Sequence, residues 1–287
     1  MQYSKSVNVV SFPFHTVTFI SHTLVNFAPS KKQFMKKLEN KTVFITGGLS
    51  GIGKACAIAA ANEGAAIVIA DRERGENIKT MEEIKAIQPK ALFVECNVSI
   101  YTEVKKAIDV TIDTFGSIDV ALNNAGIGGK AGRISDMEER DWLSVINIDL
   151  TGVFYCMKQE LIHMILQQSG VIVNMSSISG KVGYAKSAHY VAAKHGLVGL
   201  TKAAALEYAT DGIRVNVICP GFIDTPLLTK LDLNNNPDRK KVIIDKHPMN
   251  RLGSAEEIAK GFIFLATDDS SFVTGAALNI DGGFLAQ

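Results

Sequence analysis

The sequence predicts an α/β fold in which helices cover both faces of a doubly wound parallel β-sheet. Short apolar runs of strand length alternate with longer stretches of helical spacing, and these runs are apolar on both faces. A glycine-rich turn, TGGLSGIG at Thr46–Gly53, directly follows the first run. Because alternating strands and helices pair in parallel through right-handed crossovers, the pattern predicts a single domain over residues 38–287.

The composition is that of a folded chain with nearly balanced charge. Of the 287 residues, 47% are hydrophobic, and 30 Lys and Arg oppose 29 Asp and Glu, giving a net charge of +1. These values exclude a mostly disordered chain, and no basic excess indicates a nucleic-acid partner. The four cysteines form no CxxC pair, which argues against a disulfide framework and predicts a reducing, cytoplasmic location.

The first 34 residues differ from the rest of the chain. Polar residues interrupt every window of the roughly 20 apolar residues that a membrane span needs, and no clean signal-peptide core is present. From Met35 the sequence changes to MKKLENKTVFITGG. We therefore expect residues 1–37 to be an extension, either upstream of a true start at Met35 or a disordered tail, and we expect no membrane partner.

Six short apolar runs are the predicted strands. In chain order they are Lys41–Thr46, Ala66–Ala70, Ala91–Cys96, Ile118–Leu122, Gly170–Met175 and Ile213–Ile218. Helical spacing between them predicts helices that include Lys54–Glu63, Glu73–Ile87 and Ser187–Thr210. The segment Asp224–Met249 is rich in Pro and Asn and breaks the alternation, so it is predicted to be a flap.

The glycine-rich turn predicts a phosphate-binding site. Glycines between a strand and a helix let backbone N–H groups approach a pyrophosphate at the helix N-terminus, although such a turn can also be a plain connection. A mononucleotide P-loop is the second alternative, because Gly48–Lys54 satisfies GxxxxGK. That motif needs a Ser or Thr hydroxyl next, where this chain has Ala55, so a dinucleotide is favoured.

Asp71 predicts NAD rather than NADP. It follows the second apolar run, roughly 20 residues after the glycines, where a carboxylate can accept hydrogen bonds from the adenosine ribose hydroxyls. The same carboxylate repels a 2′-phosphate, and Ser50 in the turn supplies no cation for one. Arg72 is the opposing observation, since a guanidinium beside the ribose can accommodate a phosphate.

A tyrosine, a lysine and a serine form the predicted catalytic group. Tyr190 and Lys194 are four residues apart in an Ala-rich stretch, so they share one face of the predicted helix. Ser177 lies at the carboxyl end of a predicted strand, the end at which doubly wound sheets bind ligands. Taken singly, the lysine would be interpreted as a surface residue and the tyrosine as a core residue.

These three side chains suit hydride transfer between a secondary alcohol and a nicotinamide. The reaction needs a proton acceptor, and a free tyrosine has a pKa of about 10, too high for a good base at neutral pH. An adjacent ammonium and the positive oxidised nicotinamide favour the phenolate, while a serine hydroxyl can orient the substrate oxygen. No cluster of residues at metal-ligand spacing appears in the sequence, so we expect no metal.

In its motifs the sequence resembles the short-chain dehydrogenase/reductase family over residues 38–287. The matching motifs, in order, are TGGLSGIG, NNAG at Asn123–Gly126, Ser177, YVAAK at Tyr190–Lys194, PG at Pro220–Gly221 and LNIDGGF at Leu278–Phe284. The resemblance implies a Rossmann-type sheet of about seven strands. It also implies Tyr190 as general acid/base, Ser177 as the donor that orients the substrate carbonyl, and Lys194 as the residue that holds the nicotinamide ribose.

The remaining cofactor contacts are also carried over by resemblance. They fall on residues of the glycine turn, of the adenine-contact place, of NNAG and of the segment after Pro220–Gly221: Gly47, Ser50, Gly51, Ile52, Gly53, Asn97, Val98, Asn124, Gly126, Ile223 and Thr225. The family often has Asp-Val where this chain has Asn97–Val98, and asparagine still offers a donor and an acceptor there. Family members are commonly tetramers, so a homotetramer is expected.

One position departs from the family pattern. An asparagine that supports a water-mediated proton relay usually precedes the glycine of the TGVF-like run by three residues, and here Asp149 stands in that place. Asn147 lies two residues earlier, which is about 200° around an α-helix, so it would face elsewhere. The catalytic prediction is therefore limited to Ser177, Tyr190 and Lys194.

The leading functional prediction is an NAD-dependent oxidoreductase that acts on a secondary alcohol or its ketone. Sugar (glucose-type) dehydrogenases, 3-oxoacyl carrier-protein reductases, hydroxysteroid dehydrogenases and small cyclic-alcohol dehydrogenases resemble the sequence about equally, which leaves the substrate open. The alternative from another class is a sensor that binds NAD without turning it over. The presence of both Tyr190 and Lys194 argues against that alternative.

Overall fold

The computed structural model describes residues 36–72, 77–229 and 236–287. The predictions about residues 1–34 lie outside this part of the chain, as do the first residues of the predicted helix Glu73–Ile87 and residues 230–235 of the predicted flap. In the described part of that flap, one short helix, Pro226–Thr229, precedes residues 230–235 and another, Pro237–Asp245, follows them.

A parallel sheet forms the centre of the described chain. Its strands are β1 (Thr42–Thr46), β2 (Ala66–Asp71), β3 (Ala91–Glu95), β4 (Val120–Asn123), β5 (Gly170–Met175), β6 (Ile213–Pro220) and β7 (Ala277–Ile280). Their order across the sheet is β3-β2-β1-β4-β5-β6-β7, and all neighbouring pairs are parallel. The predicted doubly wound sheet is confirmed.

Helices connect the strands and cover both faces. They are α1 (Gly51–Asn62), α2 (Asn77–Ile87), α3 (Tyr101–Phe115), α4 (Glu139–Ile146), α5 (Gly152–Gln167), α6 (Ala188–Tyr208), α7 (Pro226–Thr229), α8 (Pro237–Asp245) and α9 (Ala255–Ala266). Residues of α1, α2 and α9 form the buried core on one face, and residues of α3, α5 and α6 form the core on the other. None of the helices in these described segments is both long and apolar enough to cross a bilayer.

Five predicted strands differ from their predicted bounds by one or two residues at an end, and β4 and β7 depart from the prediction for a visible reason. β4 begins at Val120 rather than Ile118, because the Gln167 side chain binds both the N–H and the carbonyl of Ile118 at 3.2 and 3.0 Å. β7 was not predicted from its own residues, since only part of it is apolar and its side chains are half-buried or exposed. It forms because β6 extends to Pro220 and offers a parallel edge.

The strand order places a crevice at the carboxyl ends of β1 and β4. The chain leaves β1 toward β2 on one side, whereas β4 lies on the other side of β1. At such a reversal the two connections diverge and leave room for a ligand above the sheet. The glycine turn follows β1 and the NNAG segment begins in β4, so both predicted motifs lie at this crevice.

A buried carboxyl group lies beneath this region. Glu160 of α5 is fully buried and accepts a hydrogen bond from the Asn123 side chain at 3.1 Å. Burial raises the pKa of Glu160 from 4.5 to about 8, so the group is mostly protonated at neutral pH. Within the described segments, Glu160 Oε1 and Asn123 Oδ1 have no other partner, and a proton on the carboxyl would let these groups pair as acid and amide.

We expect the stability of the fold to fall with rising pH because of Glu160. The unfolded chain releases this proton near pH 4.5 and the folded chain near pH 8, so the contribution is complete below the lower value. It is then lost at up to about 1.4 kcal/mol per pH unit as the pH rises through that interval. Urea unfolding between about pH 5 and pH 8 measures this slope.

Glu160→Gln should flatten the slope, because an amide can pair with Asn123 without titrating. Glu82→Gln, the same change at an exposed position of α2, is the control and should leave the slope unchanged. An equal slope in the wild-type and Glu160→Gln proteins would show that Glu160 is ionised in the folded state.

Candidate active site

The glycine turn is shaped by close backbone contacts. Gly47 has φ of +66°, and a Cβ there would lie 2.9 Å from the Cα of Ala125. A Cβ on Gly53 would overlap the carbonyl oxygen of Gly47. The turn therefore requires glycine at both positions, and helix α1 begins within it, at Gly51, so that the helix N-terminus lies at the crevice.

Asn124, which directly follows β4, forms hydrogen bonds to the start of this turn. Its side-chain amide donates to the carbonyl oxygens of Thr46 and Gly47 at 3.2 and 2.9 Å, and its backbone N–H donates to Thr46 Oγ1 at 3.0 Å. Asn124 was predicted as a cofactor contact, and the structure also gives it this supporting contact. The floor of the crevice is thus one bonded unit of the turn and the NNAG segment.

Asp71 lies buried at the end of β2, on the far side of the turn. Its Oδ2 accepts the Leu49 N–H at 3.2 Å and its Oδ1 accepts the Arg72 N–H at 2.8 Å. Arg72 is exposed beside it. Asp71, which predicts NAD, and Arg72, which could accommodate the 2′-phosphate of NADP, therefore both lie at the end of β2.

A cleft of about 220 Å³ runs between these groups. Most of the predicted cofactor residues line it: Gly47, Ser50, Gly51, Ile52, Asp71, Asn97, Val98, Asn124, Gly126 and Thr225. A glycine-lined helix N-terminus with a carboxylate at the opposite end is a donor and acceptor set that fits a dinucleotide.

Four predicted cofactor residues do not line this cleft: Tyr190 and Lys194, which are described below, and Gly53 and Ile223. Gly53 is buried beneath the turn, where its lack of a side chain permits the contact with Gly47. Ile223 is 5% exposed; its side chain packs in the core, and it lines a separate cavity of about 80 Å³. Sequence reasoning could not separate these positions from their neighbours, because the motif marks only the segment.

Gly53→Ala should weaken dinucleotide binding by at least about tenfold, because the new methyl group would push Gly47 and the phosphate-binding turn apart. Fluorescence titration with NAD measures the dissociation constant. Gly199→Ala is the matched control, since its Cβ would meet nothing within 4 Å on α6. Binding by Gly53→Ala as tight as by this control would show that the turn does not hold the phosphates.

Ser177, Tyr190 and Lys194 come together next to the cleft. Lys194 Nζ lies 5.4 Å from the centre of the Tyr190 ring and donates to the carbonyl of Met175 at 3.1 Å. The Ser177 side chain lies close enough to the Tyr190 phenol to act on it, and it lowers the pKa of Tyr190. The structure thus assembles the three residues that the sequence predicted as a group.

Asp149, which stands in the place of the family's relay asparagine, joins this group, although the catalytic prediction left it out. The segment Asn147–Thr151 is π-helical, and it buries Asp149 completely while Asn147 stays exposed. Asp149 Oδ2 lies 3.2 Å from Lys194 Nζ, and its Oδ1 accepts the Ile127 N–H at 2.8 Å. Because Ile127 and its neighbour Gly126 line the cleft, Asp149 links the cleft to the lysine.

The pKa of Tyr190 is raised in the structure, whereas the sequence analysis expected the neighbouring ammonium to lower it. Burial raises the pKa of Tyr190 above its ordinary value, while Lys194 and Ser177 lower it by less and the Asp149 carboxylate raises it. Burial acts to lower the pKa of Lys194, but the Asp149 and Tyr190 side chains outweigh it and the pKa is raised. Lys194 is therefore protonated and positively charged at neutral pH, and without a cofactor the Tyr190 phenol keeps its proton there.

His189 is a second residue that sequence reasoning missed. It is fully buried, and its Nδ1 accepts the Tyr190 backbone N–H at 2.7 Å. Its Nε2 must then carry the proton, which it donates to the Lys130 carbonyl at 3.1 Å. This histidine thus connects the start of α6 to the loop beside the cleft, and no sequence signal distinguishes it from an ordinary core histidine.

Comparison with known proteins gives a consistent match over the domain. A family model described as "Enoyl-(Acyl carrier protein) reductase" matches residues 47–285. Cyclohexanol dehydrogenase of Acinetobacter sp. (strain SE19) is 39% identical over 257 residues, 90% of this chain and 100% of that protein. Cis-4-hydroxycyclohexanecarboxylate dehydrogenase of Sinomonas cyclohexanicum is 42% identical over 246 residues, 86% of this chain and 97% of that protein.

A reductase and two ligand-bound structures are also similar. The 3-oxoacyl-[acyl-carrier-protein] reductase of Thermotoga maritima is 38% identical over 250 residues, 87% of this chain and 99% of that protein. NAD+-bound xylitol dehydrogenase matches with a TM-score of 0.83 and 33% identity, covering 86% of this chain and 100% of that one. ElxO with NADP bound matches with a TM-score of 0.81 and 36% identity, covering 86% and 99%.

Proposed function

Because the chain belongs to the short-chain dehydrogenase/reductase family and is an oxidoreductase that acts on CH–OH groups, we propose that it transfers a hydride between NAD and a secondary alcohol or its ketone. The observation that carries the proposal is the contact of Tyr190, Ser177 and Lys194 beside the glycine-lined cleft. The substrate class that we propose is a small cyclic aliphatic alcohol.

In the proposed reaction, Tyr190 moves the proton. When bound, the nicotinamide supplies the hydride acceptor for alcohol oxidation. Ser177 donates a hydrogen bond to the substrate oxygen, and the Tyr190 phenolate accepts the hydroxyl proton as the carbinol C–H bond breaks and the C=O bond forms. Lys194 stabilises the phenolate and holds the nicotinamide ribose. In ketone reduction, the Tyr190 phenol returns the proton.

NAD is the proposed cofactor because the buried Asp71 carboxylate lines the cleft at the end of β2, where it would accept hydrogen bonds from ribose hydroxyls and repel a 2′-phosphate. The other residues proposed to contact it are Gly47, Ser50, Gly51, Ile52, Gly53, Asn97, Val98, Asn124, Gly126, Tyr190, Lys194, Ile223 and Thr225. For Ile223, only its backbone would be available at the cleft, since its side chain is buried in the core.

The cyclic-alcohol class is supported by two relatives whose names specify cyclohexane-ring alcohols. The second candidate is a 3-oxoacyl carrier-protein reductase, which the Thermotoga maritima relative favours. A spectrophotometric assay distinguishes them. Cyclohexanol and cis-4-hydroxycyclohexanecarboxylate with NAD should give reduced cofactor, and a 3-oxoacyl thioester with NADH or NADPH should give slower turnover. Faster turnover of the thioester would support the second candidate, and NAD binding without any turnover would support a sensor.

We also propose a homotetramer in the cytoplasm, built from residues 38–287. Large apolar side chains remain exposed on the surface of the described chain, among them Phe154, Ile162 and Leu166 on α5, Leu206 on α6 and Phe272 before β7. Exposed apolar surface of this kind is suited to burial between copies. Light scattering measures the assembly, and a monomer at assay concentration would contradict the proposal.

A further inference from the structure

The ion pair between Asp149 and Lys194 has a consequence for the proton chemistry of the site. Asp149 is 0% exposed, and burial raises the pKa of its carboxyl while the Lys194 ammonium acts to lower it. Oδ2 lies 3.2 Å from the Lys194 ammonium, and Oδ1 accepts the Ile127 N–H at 2.8 Å. These contacts connect α6, the π-helical segment and the loop after β4.

An asparagine could not make both contacts. Its amide has one oxygen and one NH₂ group, so one of the two donors would face another donor. A carboxylate has an acceptor on each side and can serve both donors at once. The chemistry of this pair of contacts therefore selects an aspartate, which also brings a negative charge next to the ammonium.

We propose that Asp149 is a positioning residue that holds Lys194 in a direct ion pair, so that the Asp149 carboxylate and the Tyr190 phenolate share one ammonium. The inference rests on the proposed function, in which Lys194 stabilises that phenolate. Sharing the ammonium leaves less of its charge for Tyr190. Tyr190 then keeps its proton to a higher pH than it would beside an uncharged residue at position 149.

The other groups around the pair do not cancel this effect. Ser177 approaches Tyr190 from the loop after β5, and it is uncharged. Cys219 of β6 approaches Lys194, and burial raises the pKa of its thiol, which keeps it neutral. His189 faces Asp149 and acts to lower the pKa of its carboxyl, which favours the charged form of Asp149. Lys194, Asp149 and Tyr190 are therefore the groups that set the charge at this point.

The expected consequence is a preference in pH rather than a loss of chemistry. Ketone reduction needs the protonated phenol, so it should persist to alkaline pH. Alcohol oxidation needs the phenolate, so its rate should keep rising into alkaline pH. Removing the charge at position 149 should shift the pH dependence of ketone reduction and that of alcohol oxidation to lower pH by about one unit.

The test is a phenolate titration of the cofactor-free protein by ultraviolet difference absorbance. Subtracting the curve of Tyr190→Phe isolates Tyr190 from the other tyrosines. In Asp149→Asn, which keeps the shape and removes the charge, the Tyr190 midpoint should fall by about one pH unit. An unchanged midpoint would overturn the proposal, because Asp149 would then be uncharged or without influence on the phenol. A raised midpoint would also overturn it, because the carboxylate would then support the action of Lys194 on Tyr190 instead of competing for the ammonium.

Two further measurements keep the test decisive. If Asp149→Asn does not fold, as judged by circular dichroism, Asp149→Ser replaces it, since a hydroxyl still accepts the Ile127 N–H. In the wild-type protein, a Tyr190 midpoint below that of free tyrosine, about 10, would also overturn the proposal. The titration needs no substrate, so absence of alcohol turnover together with the expected shift would contradict the proposed function and leave this inference standing.

Discussion

Replacing Tyr190 with phenylalanine should lower kcat for alcohol oxidation by about a hundredfold to ten-thousandfold, the usual contribution of a general acid/base. The change removes the hydroxyl that accepts the substrate proton and leaves the ring against Lys194, 5.4 Å from its ammonium. The glycine turn and Asp71 lie on other elements, so NAD binding should change by less than about threefold. Steady-state kinetics and fluorescence titration measure the two quantities.

Tyr208→Phe is the matched control for this change. Tyr208 is the last residue of the same helix, at the end away from Tyr190, and it is half-buried against the core. Its substitution should leave kcat unchanged. Comparable loss in both variants would point to helix packing, and wild-type turnover by Tyr190→Phe would remove Tyr190 from the role of base.

Replacing Asp71 with serine should change which cofactor the protein accepts. The carboxylate is proposed to bind the ribose hydroxyls of NAD, and a hydrogen bond to a charged group contributes about 1.5–3 kcal/mol. Its loss should raise KM for NAD by about tenfold or more, since 1.4 kcal/mol is tenfold. Repulsion of a 2′-phosphate also disappears while Arg72 remains beside the site, so activity with NADP should rise.

The ratio of kcat/KM for NAD and NADP measures this change. Asp109→Asn removes a carboxylate from the exposed ion pair with Lys105 on α3 and should leave the ratio unchanged. Adding Arg72→Ala to Asp71→Ser should abolish the gain with NADP. If the Asp71→Ser protein keeps the wild-type ratio, the carboxylate does not select the cofactor.

Much of the architecture could be predicted because it depends on patterns that are local in sequence. Apolar runs on both faces indicate parallel strands, and strand–glycine–helix order fixes the crevice. β7 illustrates the limit, since its pairing depends on how far β6 extends rather than on its own residues. The side chain of Ile223 is another case, because a motif marks a segment but does not say which side chains turn into the core.

The charge balance of the site could not be predicted in the same way. The four-residue spacing places Tyr190 beside Lys194, but it does not show burial of the phenol or a carboxylate 3.2 Å from the ammonium. Asp149 approaches Lys194 through a π-helical segment, whereas the sequence argument assumed the geometry of an α-helix. Glu160 similarly gave no sequence signal, because a buried carboxyl with a raised pKa is recognisable only once its surroundings are known.

The most direct test of the account follows the hydrogen on the carbinol carbon. The protein is mixed with NAD and cyclohexanol deuterated at that carbon, and the reduced nicotinamide is analysed by mass spectrometry. The account predicts reduced cofactor carrying one deuterium with the wild-type protein, and negligible labelling with Tyr190→Phe over the same time. Reduced cofactor without deuterium, or equal labelling by the two proteins, would contradict it.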